Sequence, residues 1–336
     1  MRRVIAATAI VLGAGMLLVP PALSLFSRTS AAEKLTDDIR PAMTDRALVQ
    51  TRAEFDTGRA ALGQFADQGI PRMAADLGHS PAQFRASIDA QFPDVAGGIR
   101  QLPAITTFVD GAINLFDANR AKFHSADAIP TSWLPFTVGP WMFIGLGIMF
   151  LLLGAAVALG SGGRAPMTAL LILGLFLAVT PFVVRFPQKA SDGRALVALL
   201  RAPLAQESAN QLRAWQTTVE KMTAQLQTGL LPSVAGQLRL SPQAMDDYLA
   251  RNVPALAKGL PQLQPTVTHM ATLVTKVERN VAPYAKTRRI PFRALTWLFF
   301  LPGALASITA TLGLLSISSR RAAAPTSGRV AVPTPL

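Results

Sequence analysis

Residues that could carry out catalysis are few and scattered along this sequence. Histidine occurs three times, at His79, His124 and His269, and none lies in the His-x-x-x-His or Glu-x-x-His spacing that puts two metal ligands on one helix face. Cysteine is absent, which excludes disulfides, thiolate nucleophiles and Cys-ligated metals. We therefore predict no metal-binding residue and no cofactor-binding residue.

Acidic pairs and known catalytic motifs do not indicate an enzyme either. Asp37-Asp38 and Asp246-Asp247 are each adjacent in sequence, and neighbours on a helix project about 100° apart, so neither pair forms a catalytic dyad. The sequence contains no Gly-x-Ser-x-Gly elbow, no Walker loop and no dinucleotide-binding fingerprint. We predict that the protein has no catalytic residues and is not an enzyme.

Four apolar stretches decide the class of the protein, in which 50% of the 336 residues are hydrophobic and 15% are charged. A transmembrane helix needs roughly 20 predominantly apolar residues. The stretches that meet this requirement are Val4–Phe26, Leu134–Leu159, Ala165–Phe186 and Ala294–Ile317. Apart from Arg185 at the end of the third, they contain no ionisable residue, which disfavours an ion-coupled transporter. We predict an all-α integral membrane protein with four transmembrane helices.

An internal repeat appears when residue 71 is aligned with residue 232, a displacement that we call the repeat offset. The segment 71–102 then aligns without a gap on 232–263, and 10 of its 32 positions are identical. The identities include the Ser-Pro pairs at 80–81 and 241–242 and the Pro-x-x-Ala-x-Gly segments that end at Gly98 and Gly259. We interpret these as helix starts and as close-packed helix crossings. The chain is predicted to be a tandem duplication of one unit that consists of a span, a large domain and a second span.

The duplication predicts the following domain organisation. The chain divides into transmembrane helix 1 with a short cytoplasmic N-terminus (1–26), extracytoplasmic domain 1 (27–133), transmembrane helix 2 (134–159), a cytoplasmic loop (160–164), transmembrane helix 3 (165–186), extracytoplasmic domain 2 (187–293), transmembrane helix 4 (294–317) and a disordered cytoplasmic tail (318–336). The first span also resembles a secretory signal peptide with small residues at Ser30-Ala31-Ala32. We expect it to be retained because its repeat partner, the third span, is internal; a cleaved leader is the alternative.

Positive charge near the span ends predicts the orientation. Arg2, Arg3, Arg164, Arg320 and Arg321 flank the spans on one side with no acidic residue among them, and short basic flanks stay in the cytoplasm. Both termini are then cytoplasmic and both large domains lie outside. The large domains show apolar spacings of three and four and no hairpin signals, so we predict helical bundles. We predict one long helix in each, bent at Pro41 or Pro203, and a last helix that covers about Pro103–Lys122 or Pro265–Tyr284.

Charge is distributed unequally between the two large domains. Residues 27–135 contain 11 basic and 13 acidic groups, whereas residues 187–291 contain 13 basic and 6 acidic groups. This difference is compatible with docking of one domain on the other, with binding of anionic lipid or an anionic envelope polymer, or with unselected surface variation. Nucleic acid is not an expected partner, because the basic domain is predicted to lie outside the cell.

The predicted function is that of a non-enzymatic bacterial cell-envelope membrane protein. Its duplicated helical domains would bind a membrane or envelope protein partner or lipid, as in an accessory subunit of an export or cell-wall complex. The composition, rich in alanine and arginine and poor in lysine, is typical of GC-rich bacteria. The alternatives are an oligomeric channel or transport component, formed as a homo-oligomer, and a sensor that needs a separate signalling partner.

Overall fold

The computed structural model describes residues 2–128, 134–160 and 164–322, and these form helices without a strand among them. The predicted all-α class is therefore confirmed. Four helices are long and apolar enough to cross a membrane, as expected of a membrane protein. The predicted loop residue Ser161, the aromatic Trp133 and residues 323–336 of the predicted tail lie outside the described residues.

The helices of the first half alternate between long segments and short connecting ones. They are α1 (Arg2–Ala22), α2 (Leu25–Ile39), α3 (Asp45–Gln64), α4 (Ile70–Asp76), α5 (Pro81–Gln91), α6 (Pro93–Asp127) and α7 (Val138–Ala158). A 3-10 turn at Arg40–Met43 separates α2 from α3, because Pro41 interrupts the helix there. A π-helical turn at Phe65–Gly69 joins α3 to α4.

The helices of the second half follow in the same order. They are α8 (Ala165–Val183), α9 (Phe186–Leu199), α10 (Gln206–Gln225), α11 (Leu231–Gln237), α12 (Pro242–Asn252), α13 (Pro254–Thr287) and α14 (Phe292–Ala322). A second π-helical turn, at Leu226–Leu230, joins α10 to α11. Helices α10, α11 and α12 and this π-helical turn begin and end one repeat offset after α3, α4, α5 and the first π-helical turn.

Among the described residues, three other than glycine have a left-handed backbone, and their positions follow the same spacing. Ser24 (φ 50°) and Arg185 (φ 54°) occupy the turns after α1 and α8, and they are separated by the repeat offset. Gly78 (φ 73°) and Arg239 (φ 54°) follow α4 and α11 at the same separation. A left-handed residue after a helix is a common way to end it, although a side chain there costs energy that glycine avoids.

The described residues divide into two compact units. The membrane unit comprises Met1–Glu33, Ser125–Arg194 and Arg289–Leu336 and contains α1, α7, α8 and α14. The helical unit comprises Lys34–His124 and Ala195–Arg288. Both halves of the sequence contribute to each unit.

Glycines allow close packing of the helices in the membrane unit. A Cβ atom on Gly13 would lie 2.7 Å from the backbone oxygen of Gly147, so α1 and α7 touch through their backbones. Gly174 and Gly303 make the corresponding contact between α8 and α14. A Cβ on Gly15 would meet nothing within 4 Å, so Gly15 takes no part in this close packing.

The helical unit has one principal hydrophobic core, to which both halves of the sequence contribute. Phe65, Met73 and Ile88 from the first half and Leu226 and Leu256 from the second are all almost fully buried in it. The segments predicted as two external domains therefore share a core. This arrangement agrees with the interpretation of their charge difference as docking of one domain on the other.

The predicted helix crossings at Gly98 and Gly259 are confirmed. A Cβ atom on Gly98 would lie 2.7 Å from Cγ of Met222, and one on Gly259 would lie 2.5 Å from Cβ of Ala61. Both distances are shorter than ordinary van der Waals contact between carbon atoms, about 3.5–4.0 Å. Both crossings join the two halves, and the two glycines, like their two partners, are related by the repeat offset.

Several helix boundaries differ from the sequence prediction; α1, for example, ends at Ala22 rather than at Phe26, and α7 begins at Val138 rather than at Leu134. The last helix of each half begins at Pro93 or Pro254 rather than at Pro103 or Pro265, which lie inside α6 and α13. The fourth span continues as helix to Ala322 rather than ending at Ile317. Proline has no N–H to donate and is therefore favoured in the first turn of a helix, where the N–H groups have no partner within the helix. Pro103 and Pro265 nevertheless lie within continuous helices.

Candidate functional site

Several ionisable side chains of the helical unit form ion pairs and hydrogen bonds between its helices. Nδ1 of His269 on α13 lies 2.8 Å from Oε2 of Glu54 on α3. A hydrogen bond from Gln50 and the contact with His269 lower the pKa of Glu54. Arg213 forms a two-pronged ion pair with Glu278, which raises the pKa of Arg213 and lowers that of Glu278.

The acidic pairs do not assemble into a reactive centre. Asp37 forms an ion pair with Arg40, whereas Asp38 accepts a 3.0 Å hydrogen bond from Asn280. His79 and His124 are exposed. Within residues 2–128, 134–160 and 164–322, no group of three or more histidine, aspartate or glutamate side chains is arranged to hold a metal ion. The hydrogen bond between Asp38 and Asn280 joins α2 to α13.

The helical unit contains tyrosine hydroxyl groups with defined partners. The Tyr248 hydroxyl donates a 2.7 Å hydrogen bond to Oδ2 of Asp76, and the Tyr284 hydroxyl donates one of 2.9 Å to the backbone oxygen of Val197. Burial raises the pKa of both tyrosines. Both tyrosines therefore remain neutral, and their hydroxyl groups act as hydrogen-bond donors that join helices.

An apolar cavity of about 320 Å³ lies in the membrane unit, and we call it the apolar pocket. It is formed by the start of α7, the end of α8 and the start of α14, together with the first turns of α2 and α9. Six phenylalanines contribute to its lining: Phe136, Phe143, Phe176, Phe186, Phe292 and Phe299. Such a lining favours contact with apolar groups and contains no ionisable side chain among its described residues.

The polar side chains of the apolar pocket are two threonines among its described lining residues, Thr29 and Thr180. Thr29 Oγ1 donates a 2.7 Å hydrogen bond to the backbone oxygen of Leu25, so this hydroxyl is already paired within α2. Pro140 in the first turn of α7 and Pro181 near the end of α8 also line the cavity. The pocket therefore presents little that could hydrogen-bond to a polar ligand.

No protein-family model, curated protein or solved structure matches this chain. The geometry of its own residues is therefore the basis for proposing a function.

A second cavity, of about 650 Å³, lies in the helical unit between α11, α12 and α13. Its lining mixes apolar side chains such as Leu231 and Leu260 with polar ones such as Gln227 and Asp246. The exposed Asp246 at its edge belongs to one of the acidic pairs considered above. This cavity therefore presents both apolar groups and groups that can form hydrogen bonds.

Sequence reasoning did not identify the apolar pocket. Its residues come from four separated parts of the chain, and each part was interpreted only as the end of a span. The available signal was the clustering of phenylalanine and proline at those ends, such as Phe143 beside Pro140 and Phe182 beside Pro181. That pattern is also common where helices meet a membrane surface, so it does not by itself predict a cavity.

Proposed function

We propose that the chain is a non-enzymatic cell-envelope membrane protein that binds a lipid in the apolar pocket. The observation that carries this proposal is the almost entirely apolar lining of a cavity of about 320 Å³ at the ends of the spans. Ligand pockets typically enclose about 300–1,000 Å³ and place a few polar groups against the ligand. A cavity of this size without such groups suits a hydrocarbon chain.

Lipid is the ligand favoured by both energy and position. Burying methylene groups stabilises a complex by about 0.8 kcal/mol for each group, in proportion to the apolar area removed from water. The pocket is built from span ends, and at this level of a bilayer the acyl chains join their headgroups. A membrane lipid can therefore enter without leaving the bilayer.

The protein is a tandem duplication whose two halves interlock in the helical unit. Gln225 Oε1 accepts hydrogen bonds from the backbone N–H groups of Asp94 and Val95 at the start of α6. Gln64 Oε1 accepts one from Ala255 at the start of α13. Gln64 and Gln225 correspond at the repeat offset, as do Asp94 and Ala255, so each half caps a helix of the other, as expected for two related copies.

The first span is a retained helix of the membrane unit. Gly13 packs against Gly147, and the chain continues through α2, where Ala31 and Ala32 are buried. A helix in close backbone contact with another span is unsuited to removal. The small residues that resemble a cleavage site contribute to packing instead.

The helical unit lies outside the cytoplasm, because the short basic flanks at Arg2, Arg3 and Arg164 favour the cytoplasmic side. Arg289 and Arg293 beside the fourth span adjoin a long domain, whose charge has little effect on orientation. The exposed Thr228 tests this orientation. A Thr228→Cys variant in intact cells should react with a membrane-impermeant thiol reagent, whereas Ser161→Cys should react only after lysis. The reverse pattern would overturn the proposed orientation.

Lipid binding is tested by filling the apolar pocket. Gly139 lines it and a Cβ there would meet nothing within 4 Å, so Gly139→Leu should occupy the cavity. Gly145 lies on the same helix, is exposed and lines no part of the pocket, which makes Gly145→Leu the matched control.

The measurement is native mass spectrometry of detergent-washed protein that has been incubated with an equal mixture of palmitoyl-oleoyl phosphatidylglycerol and phosphatidylcholine. The wild type and Gly145→Leu should retain bound lipid, and Gly139→Leu should lose it. Equal retention by Gly139→Leu, or no retention by the wild type, would refute lipid binding in the pocket.

A protein partner is the second candidate, favoured by the mixed lining of the cavity between α11, α12 and α13. Asp246 lines this cavity, whereas its neighbour Asp247 does not. If a partner binds there, Asp246→Lys should lose a co-purifying protein that Asp247→Lys retains. Identical co-purification by both variants would argue against this surface.

A further inference from the structure

The chain neighbours of the apolar pocket are unusually basic. Four arginines are adjacent in sequence to residues that line it: Arg28 beside Thr29, Arg185 between Val184 and Phe186, Arg289 beside Ile290, and Arg293 beside Phe292. The acidic residues of the membrane unit are Glu33, Asp127 and Asp192, and none is adjacent to a lining residue. The charged residues that flank the pocket in sequence are therefore all basic.

Two of these arginines are brought together by the backbone. Nη1 of Arg28 donates a 2.7 Å hydrogen bond to the backbone oxygen of Arg289, which joins α2 to the segment before α14. Arg185, Arg289 and Arg293 are exposed, and none forms an ion pair with a described carboxylate. Their guanidinium groups therefore remain accessible to a ligand outside the chain.

The fold adds a positive helix end to these basic residues. Helix α14 has 31 residues and begins at Phe292, which lines the pocket. The N-terminus of a helix carries a partial positive charge and favours anions. Arg293 lies in this first turn, so the dipole of the helix and the side chain attract the same ligand group.

We infer that the ligand of the apolar pocket is an anionic phospholipid, with its acyl chain among the phenylalanines and its phosphate among Arg28, Arg185, Arg289 and Arg293. This inference rests on the proposed lipid-binding function and adds selection by headgroup. Arginine suits the task because its planar guanidinium binds phosphate oxygens through two parallel hydrogen bonds. A zwitterionic lipid gains less, because its own cationic group compensates the phosphate charge.

The test compares two lipids that differ only in the headgroup. Delipidated full-length protein is titrated with palmitoyl-oleoyl phosphatidylglycerol or with palmitoyl-oleoyl phosphatidylcholine, and binding is measured by native mass spectrometry. The wild type should bind the anionic lipid at least tenfold more tightly. Removal of one arginine should lower its affinity about fivefold, since each basic residue near an anionic membrane contributes on that scale.

The variants are Arg289→Gln, Arg293→Gln and the double substitution, and the control is Arg164→Gln. Arg164 is equally basic but lies at the opposite end of the spans, before α8. The double variant should lose most of its preference and still bind both lipids, while Arg164→Gln should behave as the wild type.

The outcomes separate this inference from the function on which it rests. Equal affinity of the wild type for both lipids would overturn headgroup selection and leave lipid binding intact. Binding of neither lipid would refute the proposed function itself. If Arg164→Gln lowered the preference as much as Arg289→Gln, the attraction would be a general effect of net charge and the assigned site would be wrong.

Discussion

Replacing Gly259 by alanine should destabilise the helical unit, and replacing Ala61 by glycine in the same chain should reverse this effect. Gly→Ala within a helix ordinarily stabilises a protein by about 0.5–1 kcal/mol. At Gly259, however, the new Cβ would lie 2.5 Å from Cβ of Ala61 on α3. Because normal carbon contacts are about 3.5–4.0 Å, α3 and α13 would have to move apart.

The magnitude follows from these opposing effects. Overpacking of a buried contact costs about 1–3 kcal/mol. Subtracting the helix-propensity gain leaves a net destabilisation between about 0 and 2.5 kcal/mol for Gly259→Ala, with a midpoint slightly above 1 kcal/mol. With Ala61→Gly the overlap is absent, so Gly259→Ala should then stabilise by about 0.5–1 kcal/mol. The predicted coupling energy of the double-mutant cycle is about 1–3 kcal/mol.

The assay is denaturant unfolding of the full chain in detergent, monitored by tryptophan fluorescence. Trp215 is buried in the helical unit, with its ring centroid 5.3 Å from that of Phe108. Replacing the other three tryptophans by phenylalanine makes Trp215 the single reporter.

The control is Gly97→Ala on α6, where a Cβ would meet nothing within 4 Å. This variant should stabilise the helical unit. A coupling energy of zero between Gly259→Ala and Ala61→Gly, or stabilisation by Gly259→Ala alone as large as that of Gly97→Ala, would refute the close crossing.

Three further predictions concern capping, span packing and pH. Gln225→Leu should lower the free energy of unfolding by about 1 kcal/mol in a denaturant titration, because the first N–H groups of α6 lose their acceptor. The control is Gln211→Leu at an exposed position of α10, which should cost less than half of this. Gly13→Leu should prevent α1 from packing and lower the thermal midpoint in detergent, whereas Gly15→Leu should leave it unchanged. The pKa of Glu54 is lowered in the folded state, so its contribution is present above the unfolded carboxyl pKa of about 4.3 and is lost as the pH falls through the folded value. Glu54→Gln should therefore reduce the acid-induced loss of stability, by less than about 1 kcal/mol because the pair is partly exposed, and an unchanged pH profile would contradict this assignment.

Much of the fold could be predicted from the sequence because membrane spans and helix caps have local causes. A span must be apolar over its whole length, so α7 at Val138–Ala158 falls within the predicted stretch of 134–159. Ser80 caps α5 with its side chain while Gln83 returns the bond, as the capping-box pattern predicts. Ser241 caps α12 in the same way, with its side chain accepting a hydrogen bond from the N–H of Ala244.

The length of the last helix in each half could not be predicted in the same way. Pro103 and Pro265 resemble helix starts locally, but they lie well inside α6 and α13, which are 35 and 34 residues long. Contacts with the other half lie on both sides of each proline. Gly98 and Phe108 of α6 contact Met222 and Trp215, and Gly259 and His269 of α13 contact Ala61 and Glu54. Tertiary packing of this kind leaves no local sequence signal.

The shared core and the apolar pocket depend on contacts between residues that are distant in the sequence. The pattern of a single sequence does not show which of these residues come together. The apolar stripes of both halves indicate buried helix faces, yet they do not indicate which face meets which. Gly98 was identified as a close crossing, but its partner Met222 became evident only from the structure. The pocket likewise requires Phe143 and Phe299, from opposite halves of the chain, to lie with their ring centroids 4.4 Å apart.

The most direct test of lipid binding in the apolar pocket is an experimental structure of the full chain in a bilayer nanodisc that contains phosphatidylglycerol. Our account predicts continuous acyl-chain density between Phe143 and Leu295, ending in a headgroup beside Arg289 and Arg293. A pocket closed by its own side chains, or density that does not extend beyond water-sized features, would contradict it.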